Sequence, residues 1–351
     1  MDEEQKIYNK PVKTRQRVVM ATVFIVVALV VACVVMCLPL LIDKAAKEAI
    51  IKIPKNATRQ MVSDSIAKYI DDDYAAKVMR MARLRGSEFG ERHGAYLIEH
   101  GMTPLQAEHR LSHGAQHPVT VTVNGHKGIN PLAKRLAAKL DFTADSLLNA
   151  LDNEEMLAKY GLTPQQALAL FPEDSYEVYW TASPESLIDK IGDNYLRIWN
   201  DERKEKAKNL GLSPAEVMIV ASIVDEETNK ADEKGKIGRL YINRLNKGMK
   251  LQADPTVKFA LGDFSLRRIR KNHLSVNSPY NTYRNTGLPP GPIRTTSVAT
   301  IDRILDSEPS DHIYMCAKED FSGYHNFAAS YSEHMANARK YQQALNKRGI
   351  K

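Results

Sequence analysis

A long apolar run near the N-terminus sets the first limit on how this chain can fold. The residues from Val18 to Ile42 are apolar apart from Thr22 and Pro39. This run is long enough to cross a lipid bilayer with some tilt. A cleaved signal peptide has a shorter apolar core, and a lipoprotein cleavage site at Cys33 is disfavoured because apolar residues continue beyond it. The run therefore predicts a transmembrane helix at residues 18–42.

The charges that flank this run predict its orientation. A polar tail at residues 1–17 carries several basic side chains: Lys6, Lys10, Lys13, Arg15 and Arg17. Basic residues favour the cytoplasmic side of a membrane, and Lys44 and Lys47 on the far side weaken this asymmetry without reversing it. We therefore expect a single-pass protein of the bacterial cell (inner) membrane. Its N-terminus would be cytoplasmic, and everything from Asp43 onward would be periplasmic or extracytoplasmic.

Composition and charge narrow the class of protein. The 351 residues suffice for two or three domains. Cys33 and Cys37 lie in the apolar run and Cys316 stands alone in the remainder, which excludes an intramolecular disulfide there. The net charge of +7 suits either solubility or attraction to an anionic polymer or membrane surface. Because no nucleic-acid-binding motif accompanies this charge, nucleic acid is not expected as a partner.

A helix that begins after Ser213 carries the main candidate for chemistry. A capping box with proline at the first helical position marks its start: Ser213, Pro214 and Glu216. An apolar stripe follows at helical spacing: Val217, Val220, Ala221 and Val224. The pattern predicts a helix with one face against the core.

Three consecutive acids, Asp225, Glu226 and Glu227, end this helix. By the same helical rotation, Glu227 returns to the edge of the apolar stripe, whereas Glu226 faces solvent. A carboxyl group beside an apolar wall holds its proton to higher pH and can act as an acid near neutrality. The alternative is an amphipathic helix whose polar end simply frays into acids.

Four ordered segments downstream change the balance between these interpretations. They are Tyr241–Leu245, Gly248–Thr256, Ser278–Tyr283 and Gly287–Ile293. The last two hold aromatic, amide and hydroxyl side chains in turn-forming sequence, and such groups can stack on sugars and bond their hydroxyl and N-acetyl groups. Taken with Glu227-Thr228, the stretch from about Leu212 to Arg339 resembles the endolytic murein transglycosylase (MltG or YceG-like) family.

The resemblance implies an enzyme that cuts peptidoglycan strands, with Glu227, the glutamate before Thr228, as its catalytic acid. In a lytic transglycosylase this acid protonates the oxygen between N-acetylmuramic acid and N-acetylglucosamine. The same carboxylate then takes the proton of the C6 hydroxyl as that hydroxyl closes onto C1, which leaves a 1,6-anhydro-N-acetylmuramic acid end. The resemblance implies no metal or cofactor. We also expect the activity to end glycan elongation, with cell-wall synthesis proteins as partners.

The chain departs from the family pattern at one position. The family often has Glu-Lys-Glu-Thr where this chain has Asp225-Glu226-Glu227-Thr228, so an acid replaces a lysine. If that lysine tunes the site, the activity or its pH optimum will differ, although a solvent-facing side chain would have little effect. Two other functions stay open: a peptidoglycan hydrolase of the lysozyme type, which needs a second carboxylate, and a non-catalytic glycan-binding scaffold.

The remaining site residues are assigned to substrate binding. They are Asn243, Gln252, Asp254, Tyr280, Asn281, Thr282 and Tyr283. Asp254 is the second carboxylate with a claim on the site, although an aspartate before Pro255 also forms turns. Asn243 equally suits a solvated or capping role. His325 and His334 match no common zinc spacing, so no metal site is predicted.

The order of predicted elements indicates an α+β protein. We expect the tail and membrane helix, then a small LysM-like α/β module at 43–117 and a mixed α+β catalytic domain at 118–351. Strands at Ile50–Ile53 and Tyr96–Ile98 around two helices carry the weak likeness to LysM. Such a module either binds glycan or only positions the catalytic domain. In the catalytic domain, the apolar spacing predicts one long helix at Pro184–Leu210.

Overall fold

The computed structural model describes residues 4–266 and 268–349, and for residues 4–14 it describes only the backbone. The protein is mixed α and β and mostly helical, which confirms the predicted α+β class. It divides into two compact units, which are described separately. The first contains residues 1–119 and 179–181, and the second contains residues 120–178 and 182–351.

The first unit begins with a long apolar helix, α1 (Glu4–Ile42). Its stretch Arg15–Ile42 is long and apolar enough to cross a membrane. Large apolar side chains along it are exposed, for example Phe24 at 76%. Exposed apolar surface of this extent is unfavourable in water and typical of a helix surrounded by lipid. The predicted helix at 18–42 is confirmed as a helix, and the first residues of the predicted tail, 1–3, lie outside the described residues.

A compact α/β module forms the rest of the first unit. Its elements are β1 (Ala49–Ile53), α2 (Arg59–Tyr69), α3 (Asp72–Arg85), β2 (Gly94–Ile98) and α4 (Pro104–His113). β1 and β2 pair antiparallel with Ile51 opposite Tyr96, so the predicted strand–helix–helix–strand order is confirmed. Apolar side chains from both strands and all three helices form its core. The likeness to LysM itself stays a prediction.

The second unit is built mainly from helices. Its elements in chain order are β3 (Val119–Val123), α5 (Ile129–Ala137), α6 (Ala144–Leu151), α7 (Glu154–Ala158), β4 (Asp174–Val178), α8 (Pro184–Ile198), α9 (Asp201–Asn209), α10 (Pro214–Glu227), α11 (Lys234–Asn246), α12 (Asp254–Leu261), α13 (Val298–Leu305), β5 (Tyr314–Ala317), β6 (His325–Ala328) and α14 (Tyr331–Lys347). Short 3-10 helices lie at Pro164–Leu170 and His273–Ser275. β3 pairs with β4, and β5 pairs antiparallel with β6.

The long helix predicted at 184–210 is wrong, because the chain forms two helices, α8 and α9. Trp199 leaves the helical conformation at the end of α8, with ψ of 61°. The side chain of Asn200 then caps α9 by accepting the backbone N–H of Arg203 at 2.9 Å. The break leaves the Trp199 side chain 1% exposed, so burial of a large ring accompanies it. The sequence does carry a signal for this break, because the apolar spacing stops after Trp199 and Asn200 precedes two acids, Asp201 and Glu202, as at a helix start.

Helix α10 begins as predicted but is more deeply enclosed than its sequence suggests. Ser213 and Glu216 form the reciprocal capping box, with Pro214 in the first turn. Every residue from Val217 to Asp225 is buried, and helices α9, α11, α12 and α13 pack against this helix. An amphipathic helix keeps one face in water, whereas α10 has no exposed face between Val217 and Asp225. Positions that a helical wheel assigns to solvent therefore face protein.

The segment Gly287–Ile293 owes its glycine to close packing. A Cβ atom at Gly291 would lie 1.9 Å from the backbone carbonyl oxygen of Gln165, so only glycine fits there. Two residues later, the backbone N–H of Ile293 donates to the buried Ser222 hydroxyl on α10 at 3.0 Å. The loop formed by Gly287–Ile293 is therefore anchored to helix α10.

Candidate active site

A cavity of about 230 Å³ in the second unit contains Glu227. The residues around it come from α10, α11, α12, the two strands of the β5–β6 pair and the loops between them. They are Glu227, Leu240, Tyr241, Arg244, Leu251, Gln252, Asp254, Tyr283, Met315, Cys316, Ala317 and His325. The structure thus brings four of the sequence-predicted site residues together.

Glu227, the last residue of α10, has a perturbed acidity. The hydroxyl of Tyr241 on α11 donates a hydrogen bond to its Oε1 atom at 2.7 Å. Burial raises the pKa of Glu227 to about 7; the hydrogen bond from Tyr241 opposes this shift, Asp254 adds to it, and His325 and Lys258 oppose it. A carboxyl group that titrates near neutral pH can act as a general acid at physiological pH.

Tyr241 keeps its own proton and therefore serves as the donor in this pair. Burial, together with the neighbouring charge of Glu227, raises the pKa of Tyr241 well above its ordinary value. The donated hydrogen bond occupies Oε1 of Glu227 and favours the ionised form of the carboxylate. Among the hydrogen bonds of the described residues, Oε2 of Glu227 has no protein partner.

The prediction that Glu226 faces solvent is wrong. Its side chain is only 15% exposed and pairs with two cations, Lys127 at 2.7 Å from Oε2 and Arg294 at 2.9 Å from Oε1. Arg294 also reaches Glu173 at 3.2 Å. Because protein surrounds α10 on all sides, an acid at this position needs cations to replace the water that the helical wheel assigns to it.

Asp225 is the most deeply buried of the three acids, with its side chain 6% exposed. Lys234 lies 2.6 Å from its Oδ1 atom, and the hydroxyl of Thr300 donates to the same oxygen at 2.8 Å. The hydroxyl of Thr296 donates to Oδ2. Asp225 and Glu226 therefore fix the end of α10 through charged partners, and Glu227 alone has a neutral donor and faces the cavity.

Gln252, Asp254 and Tyr283 all lie in the cavity wall. Gln252 has a left-handed backbone with φ of 52°, a conformation that few residues other than glycine adopt. Asp254 begins helix α12 instead of closing a turn. The Tyr283 hydroxyl donates to Oδ1 of Asp254 at 2.6 Å. The cavity therefore contains two tyrosine–carboxylate pairs, one at Glu227 and one at Asp254.

Four other predicted binding residues do not line this cavity. Asn243 donates to two backbone carbonyls at 2.6 and 3.0 Å. Asn281 is fully buried and donates to two others, both at 2.9 Å. The Thr282 hydroxyl accepts the backbone N–H of Ala253 at 3.0 Å, and the Tyr280 ring packs 4.7 Å from that of Phe259. These side chains hold the surrounding loops in place.

Eight lining residues were not among the predicted site residues, and three of them form side-chain hydrogen bonds: Tyr241, Arg244 and His325. Tyr241 and Arg244 lie three residues apart on one face of α11, a spacing visible in the family-like segment Tyr241–Leu245. His325 on β6 is held by the buried Glu233, which accepts its backbone N–H at 2.8 Å and lies 3.0 Å from its Nδ1 atom. No local pattern links Glu233 to His325, because they are distant in sequence.

The two histidines considered as metal ligands have different partners. His325 pairs with Glu233, whereas the His334 ring stacks on Tyr314 with centroids 5.2 Å apart. In the part of the chain that the structure describes, no group of three or more His, Cys, Asp or Glu side chains is placed to hold a metal ion.

Comparison with known proteins identifies the family. A family model described as the YceG-like family matches residues 51–340. The chain belongs to the YceG-like family. This confirms the resemblance drawn from the motifs around Glu227, and it places both the α/β module and the cavity inside the matched region.

Individual relatives agree with this assignment. A Bacillus subtilis (strain 168) protein named endolytic murein transglycosylase is 26% identical over 329 residues, covering 88% of this chain and 89% of that protein. A Streptococcus pneumoniae (strain ATCC BAA-255 / R6) protein of the same name is 31% identical over 179 residues, covering 49% of this chain and 31% of that protein. The crystal structure of a protein described as YceG-like from Listeria monocytogenes shares the fold, with a TM-score of 0.56 and 24% identity over 83% of this chain and 98% of that chain.

The adjacent acids Glu226 and Glu227 allow a matched pair of substitutions. Glu227→Gln should abolish glycan cleavage and keep the fold, because glutamine is nearly isosteric but delivers no proton. Glu226→Gln should keep most of the activity but lower the free energy of unfolding by about 1–2 kcal/mol, because Lys127 and Arg294 lose their anion. Cleavage assays and thermal melts on both variants measure the two effects, and an equal loss of activity in both would contradict the assigned roles.

The difference in stability between the Glu227→Gln variant and the wild type should change with pH in a defined direction. The folded-state pKa of about 7 lies above the unfolded-state value of 4.5, so ionisation of Glu227 destabilises the fold increasingly as the pH rises between these values. The variant should therefore match the wild type below about pH 4.5 and be the more stable protein above about pH 7. A constant difference across this range would count against the raised pKa.

Proposed function

We propose that this protein is a lytic transglycosylase that cuts within peptidoglycan strands between N-acetylmuramic acid and N-acetylglucosamine. The observation that carries the proposal is Glu227, whose burial in the cavity raises its pKa to about 7 while Tyr241 holds one of its oxygens. The relatives named endolytic murein transglycosylase support the same activity and substrate. The raised pKa of Glu227 suits this reaction, because cleavage of a glycosidic bond begins with protonation of its oxygen.

The first step uses Glu227 as an acid. Its Oε2 atom, free of protein partners, donates a proton to the glycosidic oxygen as the bond from C1 to that oxygen breaks. Positive charge then develops at C1 and the ring oxygen, while Glu227 becomes a carboxylate. The hydrogen bond from Tyr241 stabilises that carboxylate, so it favours proton transfer to the leaving group.

The second step uses the carboxylate formed in the first. Glu227 takes the proton of the C6 hydroxyl of the N-acetylmuramic acid while O6 bonds to C1, which regenerates the protonated acid. No water enters the products and no second base is required. Because the attacking hydroxyl belongs to the same sugar, its effective concentration greatly exceeds that of a dissolved nucleophile.

Asp254 is the residue on which a competing hydrolase mechanism would depend. A hydrolase of the lysozyme type needs a second carboxylate to bind a glycosyl intermediate or to activate water. Asp254 lines the same cavity, but its Oδ1 atom already accepts the Tyr283 hydroxyl at 2.6 Å. The transglycosylase reaction needs only Glu227, whereas the hydrolase would require Asp254 to act on the substrate as well.

Analysis of the product separates these reactions. The wild-type protein, incubated with purified glycan strands, should yield internal cuts whose new ends are 1,6-anhydro-N-acetylmuramic acid. Mass spectrometry before and after borohydride treatment measures this, because the anhydro end is lighter by one water and is not reduced. Glu227→Gln provides the inactive control. Reducible ends as the main product would favour the hydrolase, and binding without cleavage by wild-type protein would favour the scaffold.

The apolar helix α1 supports a location of this activity at the cell membrane. We propose that Arg15–Ile42 anchors the protein in the cell membrane, with the N-terminus in the cytoplasm and the cavity outside it. An anchored enzyme of this kind would meet glycan strands where they are made. Its cuts would then end their elongation, with cell-wall synthesis proteins as the expected partners.

Reporter fusions test the orientation. Alkaline phosphatase joined after Lys351 should be active, because the enzyme folds only outside the cytoplasm, whereas a fluorescent protein that matures only in the cytoplasm should stay dark at the same place. The same reporters joined before Met1 should give the reverse pattern. A dark phosphatase and a bright fluorescent protein at the C-terminal end would overturn the proposed orientation.

A further inference from the structure

Arg244 is a buried cation in the wall of the Glu227 cavity. The residue is 8% exposed, and within the described residues it forms no ion pair with a carboxylate. The titratable groups that act on it most strongly are tyrosines, Tyr241, Tyr314 and Tyr283, and burial lowers the pKa of the guanidinium. A buried guanidinium without an anionic partner is unfavourable unless something else accepts its hydrogen bonds.

One edge of this guanidinium is held by backbone carbonyls. Nε donates to the carbonyl of Ile313 at 2.6 Å, and Nη1 donates to that of Leu251 at 2.7 Å. Nη1 also reaches the Lys250 carbonyl at 3.3 Å and the Gln252 side-chain oxygen at 3.4 Å. These bonds connect the start of β5 with the chain that precedes α12, and they fix the plane of the group.

The other edge is open. Nη2 donates no hydrogen bond to any residue that the structure describes, and it is not among the polar atoms that are both buried and unpartnered. It therefore presents N–H groups to the cavity from a rigid plane. With Nε and Nη1 already bonded, the arginine suits a single carboxylate or carbonyl oxygen, because the direction of its free N–H groups is fixed.

The charged and titratable groups facing this cavity come from several elements. They are Glu227 from α10, Tyr241 from α11, Asp254 from α12, Tyr283 from the loop that follows α12, Cys316 from β5 and His325 from β6. Both carboxylates already accept a tyrosine hydroxyl. Arg244 is thus the group in this wall best placed to receive an acyl oxygen of a ligand.

We propose that Nη2 of Arg244 binds the lactyl group of the N-acetylmuramic acid unit whose bond to the next sugar is cut. This inference rests on the proposed function. The two sugars of the strand both carry an N-acetyl group, and they differ in the lactyl ether of N-acetylmuramic acid. That ether ends in a carboxylate in stem-free strands and in an amide carbonyl where a peptide stem is attached, so both forms offer an acceptor oxygen.

This contact determines which sugar occupies the cleavage position. An arginine that contacts the lactyl group places N-acetylmuramic acid, and not N-acetylglucosamine, beside Glu227. A free carboxylate also supplies the negative charge that Arg244 lacks, so stem-free sugar should bind more tightly than stem-bearing sugar. Charge-assisted hydrogen bonds are about twice as strong as neutral ones.

Three small ligands test this with the unmodified full-length protein in detergent. They are N-acetylmuramic acid, N-acetylmuramoyl-L-alanine methylamide and N-acetylglucosamine, none of which contains a bond that the enzyme cuts, and the methylamide removes the carboxylate that the alanine would otherwise carry. N-acetylmuramic acid should bind about tenfold more tightly than N-acetylglucosamine, with the alanine conjugate between them. The guanidinium ¹⁵N resonances of Arg244 should shift with both lactyl ligands. Equal binding of all three sugars, or unchanged Arg244 resonances, would overturn the proposal.

The variant Arg244→Lys provides a second measurement. Lysine keeps the charge but lacks the planar Nη2 edge, so the preference for N-acetylmuramic acid over N-acetylglucosamine should disappear, and a thermal melt reports whether the variant folds. A folded variant with an unchanged preference would overturn the proposal; if the variant does not fold, the wild-type binding order decides. Failure of the proposed function would appear separately, as missing anhydro ends in the product assay with wild-type protein.

Discussion

The site depends on how the end of a fully enclosed helix accommodates three acids. The C-terminal end of a helix carries partial negative charge, so acids there are unfavourable without compensation. Asp225 receives Lys234 and two threonine hydroxyls, and Glu226 receives Lys127 and Arg294. Glu227 receives only the neutral hydroxyl of Tyr241. The partners of Asp225 and Glu226 fix the end of the helix. Glu227 has only the neutral donor among the described residues, and its pKa is raised by burial.

The two carboxylates in the cavity have different surroundings. Glu227 projects from a rigid core helix, and its acidity follows from burial. Asp254 begins α12 and accepts a hydrogen bond from Tyr283, whose own pKa is raised mainly by burial. Arg244 connects the two sides, since it bonds to backbone near Gln252 and near the start of β5. The cavity is therefore shaped by backbone contacts as much as by side chains that face it.

Local sequence rules predict well those features that depend on neighbours in the chain. The capping box at Ser213, the strands at Ile50–Ile53 and Tyr96–Ile98 and the choice of Glu227 all follow from short patterns, and the structure contains the capping box and both strands. The position of Glu226 does not follow, because a helical wheel assumes that one face meets water, and α10 is enclosed. The break at Trp199, by contrast, has a local signal in the Asn200 cap that begins α9.

Polar residues in turns are the second kind of feature that sequence cannot resolve. Asn243, Asn281 and Thr282 have side chains that would suit a sugar, yet each satisfies buried backbone groups instead. The same residue types serve both purposes, and only the three-dimensional course of the loops decides between them. Arg244 and His325 show the reverse case, because their partners, the Ile313 carbonyl and Glu233, lie far away in sequence.

Direct titration of Glu227 tests this account more closely than any activity assay. Protein labelled with ¹³C at the glutamate side-chain carboxyl carbon can be followed by NMR across the pH range, and the Glu227 signal is the one absent from the Glu227→Gln spectrum. We expect a midpoint at about pH 7. A midpoint near 4.5, the ordinary value for a glutamate, would contradict it, because Glu227 would then be ionised at neutral pH and unable to act as the acid.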